Sequence, residues 1–263
     1  MIFALLLMAL AATAVAPYDP LEMQLANRLQ KPSTQHFFGT DAYGRDLFSR
    51  VLYGSRISLL LGIMIVGIGG SVGVVLGLVA GFSGGKVDDV IMRVSDVFLA
   101  FPPLILAMAI AASLGPSIQN VLLAMAVIWW PWYARLTRGQ VLSVRETEYV
   151  MAAEAIGASR ARIIARHVVP NCMSPVIIQA TLDVGRAILE AAALSFLGFG
   201  AQPPTPEWGI LVSEGRSYLR TAWWLATFPG LAIMITAMGF NFLGDGVRDF
   251  FDPKRARKHR KSR

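Results

Sequence analysis

Few residues in this sequence are placed to do covalent chemistry. Gly81-Phe-Ser-Gly-Gly-Lys86 is the stretch most like a reactive loop. A phosphate-binding loop needs Gly, four residues, then Gly-Lys followed by Ser or Thr, whereas here three residues intervene and Val87 follows the lysine. The same stretch fits Gly-x-Ser-x-Gly, which would make Ser83 the nucleophile of an intramembrane serine protease. Such a serine needs a histidine base within hydrogen-bond reach. The three histidines, His36, His167 and His259, all lie outside the apolar runs, so Ser83 reads better as part of a flexible turn ending a helix. The scattered histidines form no metal-ligand cluster, and the single cysteine, Cys172, can form no internal bridge. What remains is a charge pattern: Asp183, Arg186 and Glu190 stand at i, i+3 and i+7, so one helical face carries minus, plus and minus. Charges at membrane depth are costly and turn to a bundle interior or a wet cavity. They would either line a solute path or form a salt-bridge ladder that pins helices.

The elements that must position these residues are apolar helices. Of the 263 residues, 55% are apolar and 16% charged, against roughly 25% charged in an average globular chain, and mean hydropathy is +0.54. That composition excludes disorder, a fibrous repeat, a disulfide scaffold and a water-soluble enzyme. A hydrocarbon core takes about 20 apolar helical residues, and strands are excluded because the runs are long and lack two-residue alternation. The spacing predicts an all-α polytopic membrane protein with six transmembrane helices. The first is Met1 to Ala16, the second Ile57 to Ala80. The third and fourth divide the uncharged run Val97 to Ala134 at Gly115-Pro116-Ser117, the fifth covers about Val176 to Phe199, and the sixth lies within Thr221 to Gly244. Met1 to Ala16 has a rival reading as a signal peptide cleaved after Ala14-Val15-Ala16, but it lacks a basic leader. A first helix that has lost its leader to a late start codon is the preferred expectation.

The chain thus divides into a first helix (1–16), an extracytoplasmic segment (17–56), a core with five helices (57–243) that includes a cytoplasmic loop (135–170), and a basic tail (244–263). Net charge is +7. With both termini inside, the cytoplasmic segments hold sixteen Lys and Arg and the outer segments seven, as the positive-inside rule expects. The basic tail therefore reads as attracted to anionic membrane lipid, and no nucleic-acid partner is expected. Within the second helix Gly69, Gly73, Gly77 and Gly81 recur every fourth residue, a spacing that lets two helices pack backbone to backbone in lipid. That stripe would pack within the chain or against a second subunit. Trp129, Trp130, Trp132 and Tyr133 cluster as an interfacial aromatic belt does. Pro203, Pro204 and Pro206 would stiffen either a docking surface or a plain linker.

The cytoplasmic loop has its own periodicity. Tyr149, Ala152, Ala153 and Ile156 stand at i, i+3, i+4 and i+7, so a short helix from about Thr147 carries a narrow apolar stripe of small residues. Glu146 and Glu148 suit its N-terminal end. Gly157 breaks it as a left-handed cap, Ser159 caps a second basic helix, and Pro170 closes that one. The result is either a rigid protrusion that a partner's groove can approach closely or a solvated loop that orients the chain by charge.

Tyr149-Val-Met-Ala-Ala-Glu-Ala-Ile-Gly157 followed by Arg166-His-Val-Val-Pro-Asn171 resembles the EAA loop of ATP-binding-cassette (ABC) importer permeases. Ala152, Ala153, Gly157 and Pro170 match that pattern, while Met151 replaces its Glu and Val169 its Leu. Phe38 to Arg50, Glu190 to Gly200 with Pro204 and Trp208-Gly209, and Asn241 to Pro253 resemble further blocks of the peptide/nickel/opine subfamily. The resemblance implies a type I ABC importer permease fold and a translocating subunit for dipeptides or oligopeptides, with nickel or opines as alternatives. It implies no catalysis and no cofactor on this chain, ATP and Mg being held by two partner ATPase subunits. Those subunits would dock on Tyr149, Ala152, Ala153, Ile156, Gly157, Arg166, His167 and Pro170. The other implied partners are a homologous second permease and an extracytoplasmic substrate-binding protein. A passive channel is a further alternative.

Overall fold

The computed structural model describes residues 2–251, so the basic run Lys254 to Arg263 and His259 lie outside the described residues. Among those residues the chain is helical, and the only β feature is an isolated bridge between Thr40 and Asp46. The helices are α1 (Ile2–Leu10), α2 (Ala12–Val15), α3 (Leu47–Ser83), α4 (Gly85–Leu99), α5 (Pro103–Leu114), α6 (Ile118–Arg145), α7 (Glu148–Ala155), α8 (Arg160–Ile163), α9 (Val169–Phe196), α10 (Trp208–Gly215) and α11 (Trp224–Phe251). Three helical stretches are long and apolar enough to cross a membrane: Leu47–Ser83, Arg160–Phe196 and Trp224–Phe251. α4 and α5 qualify as a fourth only as one sharply bent pair. α6 is long enough, but Gln119, Asn120 and Arg135 interrupt its apolar stretch.

Several boundaries differ from those read in the sequence. α3 begins at Leu47, ahead of the uncharged run, because the Asp46 carboxylate accepts the Ser49 N–H at 2.8 Å and caps the helix there. Hydropathy locates the span, not the helix that extends beyond it. The third predicted helix is broken before Pro103, since Pro102-Pro103 removes two consecutive N–H donors and disfavours helical backbone at Phe101. The preceding residues, expected to be a connection, form the amphipathic α4. The hairpin at Gly115 (φ 91°) separates α5 from α6 as expected, and Ser83 ends α3 before two left-handed residues, Gly84 and Gly85.

Two compact units divide the chain. The first gathers the described residues up to Ile65 with Leu104–Met125 and Val184–Phe240. In it the segment before α3 is a folded layer: Phe38 stacks on Phe228 with ring centroids 4.0 Å apart, and Trp208 Nε1 donates to the Val51 carbonyl at 2.9 Å. Glu207 caps α10 by accepting from the N–H groups of Gly209 (2.9 Å) and Ile210 (3.1 Å), and takes the Ser58 hydroxyl at 3.1 Å. Burial pushes its pKa up, opposed by those backbone hydrogen bonds.

The second unit takes Val66–Pro103, Ala126–Asp183 and the described residues from Asn241 on. Here the glycine stripe of α3 packs against α6 within the chain. A methyl group added at Gly73 would lie 2.4 Å from the Trp130 carbonyl oxygen, and one at Gly77 2.5 Å from that of Ala134. The groove so opened receives the aromatic cluster, which corrects the belt reading: Trp129 and Tyr133 are buried and only Trp132 is well exposed.

Candidate functional site

The loop after α6 is a folded element with a core of its own. Val150 and Ala153 from α7, Ile163, Val168 and Cys172 pack with Val141 of α6, and Leu78 and Phe82 at the end of α3 close over them. α7 ends because Gly157 takes φ 80°, with its N–H on the Glu154 carbonyl at 2.9 Å and the Ala158 N–H on the Ala153 carbonyl at 3.1 Å. That pair of bonds is a Schellman cap, and a left-handed residue there favours glycine. Ser159 then caps α8 by accepting the Arg162 N–H at 3.4 Å. Both caps fall where the sequence placed them.

Pro170 does not close the second helix. α8 passes through a π-helical turn, Ile164–Val168, into α9, which also contains Pro175. The wider turn reroutes carbonyls that a proline, lacking an N–H, leaves without a donor, so the chain continues helically past Pro170.

The predicted stripe is split. Tyr149, Ala152 and Ile156 face outward, Ile156 85% exposed, while Ala153 turns into the core. Arg166 and Pro170 are exposed, and His167 is half-buried with its ring centroid 6.3 Å from that of Tyr149. Met151, at the position where the EAA pattern has Glu, is also exposed. The surface presented therefore interleaves apolar side chains with the exposed Glu148 and Glu154, has Arg166 exposed beyond it, and stands on a buried foundation.

That foundation is tied to its neighbours by charge. Arg145 Nη1 donates to the Gly81 carbonyl at 2.9 Å and to that of Phe82 at 3.3 Å, satisfying carbonyls at the end of α3, and its guanidinium lies 5.4 Å from the Phe82 ring centroid. Arg138 forms a bidentate pair with Asp88 of α4, both contacts 2.5 Å, and Arg135 pairs with Asp96. Sequence reading missed these contacts because their partners lie tens of residues apart and carry no periodic signal.

The charged face of α9 makes contacts both to α6 and along its own helix. Asp183 is buried and accepts the Tyr133 hydroxyl at 2.8 Å and Gln179 Nε2 at 3.0 Å, which braces α9 on α6. Arg186 Nε pairs with Glu190 Oε1 at 2.8 Å, with the arginine side chain 58% exposed.

Comparison with known proteins bears on the family and the fold. The family described as binding-protein-dependent transport system inner membrane component matches residues 73–257. The chain is 51% identical over 250 residues to the probable D,D-dipeptide transport system permease protein DdpC of Escherichia coli K12, covering 95% of this chain and 84% of that one. It is 49% identical to the dipeptide transport system permease protein DppC of Alkalihalophilus pseudofirmus, covering 95% and 82%. Among solved structures, an inward-facing MetNI methionine ABC transporter matches with a TM-score of 0.61 at 16% identity, over 77% of this chain and 97% of that one. An amino acid ABC transporter crystallised with histidines matches with a TM-score of 0.60 at 15% identity, over 75% and 92%. A chain that is helical through its described residues, with a capped, exposed loop after α6 and relatives of this closeness, belongs to the binding-protein-dependent inner membrane components, the non-catalytic permease subunits of ABC importers.

Proposed function

We propose that this permease carries short peptides, dipeptides foremost, across the bacterial inner membrane, and that its ATPase subunits grip the 149–170 element. The observation that carries the substrate is identity of about half the residues over 95% of the chain to permeases named for dipeptides. Family membership implies an ATPase and a substrate-binding protein as partners in an inner-membrane, multi-pass assembly. The finer composition is part of the proposal: one homologous second permease, two ATPase subunits holding ATP and Mg, no cofactor on this chain, six crossings and both termini cytoplasmic.

The mechanism follows from how the element is built. Closure of the ATPase subunits would push on Tyr149, Ala152 and Ile156, whose helix cannot yield independently because Val150 and Ala153 are packed beneath it. Arg145 and Arg138 would pass the displacement to the end of α3 and to α4, and continuous helices would convert it into alternating access. Asp183 serves as a brace, and the Arg186–Glu190 pair borders the path.

The test is uptake by the assembled transporter in proteoliposomes. Labelled dipeptide should accumulate and be competed by other dipeptides but not by nickel chelates or opines. Competition by the latter alone would move the substrate class elsewhere.

A further inference from the structure

The segment before α3 and the turn after α10 enclose a cavity of about 250 Å³. Pockets for drug-sized ligands run to roughly 300–1,000 Å³, so this one suits a smaller group. Its lining concentrates charge: Arg45 and Arg50 are 1% and 0% exposed, beside Asp41 and Glu214, with Tyr43 and Tyr218 adding aromatic surface.

Two guanidiniums bring about ten N–H donors between them, and few are well used. Arg45 Nε donates to Asp41 Oδ2 at 2.6 Å and Arg50 Nη2 to Glu214 Oε2 at 3.0 Å. The other contacts are long. Arg45 Nη2 stands 3.5 Å from both Glu214 oxygens, Arg50 Nη1 3.4 Å from the Pro20 carbonyl, and Arg50 Nε 3.6 Å from Asp41. Arg50 Nε makes no hydrogen bond although it is fully buried. Asp41 Oδ1 is already committed to the N–H groups of Tyr43 and Arg45, at 2.8 and 3.0 Å. Neither arginine therefore has the bidentate carboxylate its planar fork is shaped to hold. Glu214 is the loosest member, its side chain 24% exposed, and it holds Arg50 through one nitrogen at 3.0 Å while standing 3.5 Å from Arg45. Under-satisfied buried cations beside a cavity favour a further anionic oxygen pair.

We propose that this cavity binds the terminal carboxylate of a short peptide, with Arg45 and Arg50 as its donors and Glu214 as the internal acceptor that the ligand displaces. The proposal rests on the peptide-import reading above.

The experiment measures binding of Ala-Ala, and of its C-terminal amide, to the full-length permease assembled with its partner permease and ATPase subunits in nanodiscs, with the binding protein omitted. The free carboxylate should bind and the amide should bind at least about tenfold more weakly, since a site built to donate to an anion rejects the analogue lacking it. Glu214→Gln, at a partly exposed position, should bind Ala-Ala several-fold more tightly, because the competing carboxylate is gone. A merely structural salt bridge predicts no such gain. Absence of Ala-Ala binding, equal binding of the amide, or a Glu214→Gln protein with unchanged melting temperature that binds no tighter overturns the assignment. If the complete transporter accumulates dipeptide while these results fail, only the cavity assignment falls. If dipeptide is not transported at all, the import reading falls and the cavity assignment with it.

Discussion

A single side chain at Gly73 would have to occupy space already held by the Trp130 carbonyl and the Tyr133 Cβ, 2.4 and 2.5 Å away. Gly73→Leu should therefore separate α3 from α6, costing at least the roughly 1–3 kcal/mol typical of overpacking; a detergent-solubilised thermal melt should show a large drop or no folded yield. Arg138 and Asp88 set a second test. Removing the arginine alone leaves a buried carboxylate and should cost about 1–3 kcal/mol. Arg138→Ala with Asp88→Ala should be less damaging than the two single losses added, a coupling that a double-mutant melting cycle reads directly. Glu207 gives a pH dependence. Its folded pKa is raised above the unfolded value, so the folded form holds the proton more tightly. Its contribution is fullest below the unfolded pKa and declines as pH rises through the interval up to the raised value. Melting temperature should fall across that interval, and Glu207→Ala, which also loses a cap worth about 1 kcal/mol, should flatten the slope.

At the scale of elements, α7 has two faces with separable roles. Val150→Asp places an unpaired charge in the core shared with Ile163, Val168 and Cys172 and should unfold the loop. Ile156→Glu alters a side chain that is 85% exposed and should leave the melting temperature within about 0.5 kcal/mol of stability change while abolishing co-purification of the ATPase. Equal losses in both variants would mean that the stripe is structural only. Much of this element was legible in the sequence, because Gly157 and Ser159 are local signals whose chemistry demands a cap at each position. Pro170 misled because a proline normally stops a helix, and the π turn that absorbs it is a tertiary accommodation. Ala153 faces the core although its spacing places it on the same arc as Tyr149 and Ile156; periodicity defines an arc but not which edge of it is covered. The same holds for Trp129 and Tyr133, whose burial depends on glycines more than fifty residues away in α3.

At the scale of the whole molecule, long uncharged runs announced α3, α5, α6 and α11 but not the charged, amphipathic α4. The sequence did not reveal that the Phe38–Arg50 block is a packed layer rather than a tether, because its Arg45, Arg50 and Glu214 contacts cross more than 160 residues. The chain is a machine part without a motor of its own, and in the proposed function its movement is imposed through the loop. The most direct measurement is labelled dipeptide accumulation in proteoliposomes carrying both permeases and the binding protein, with ATP present and with or without the ATPase subunits. The account predicts accumulation above the external concentration only when the ATPase is present, and its loss with Ile156→Glu. Uphill accumulation without the ATPase, or undiminished accumulation by the Ile156→Glu assembly, would contradict it.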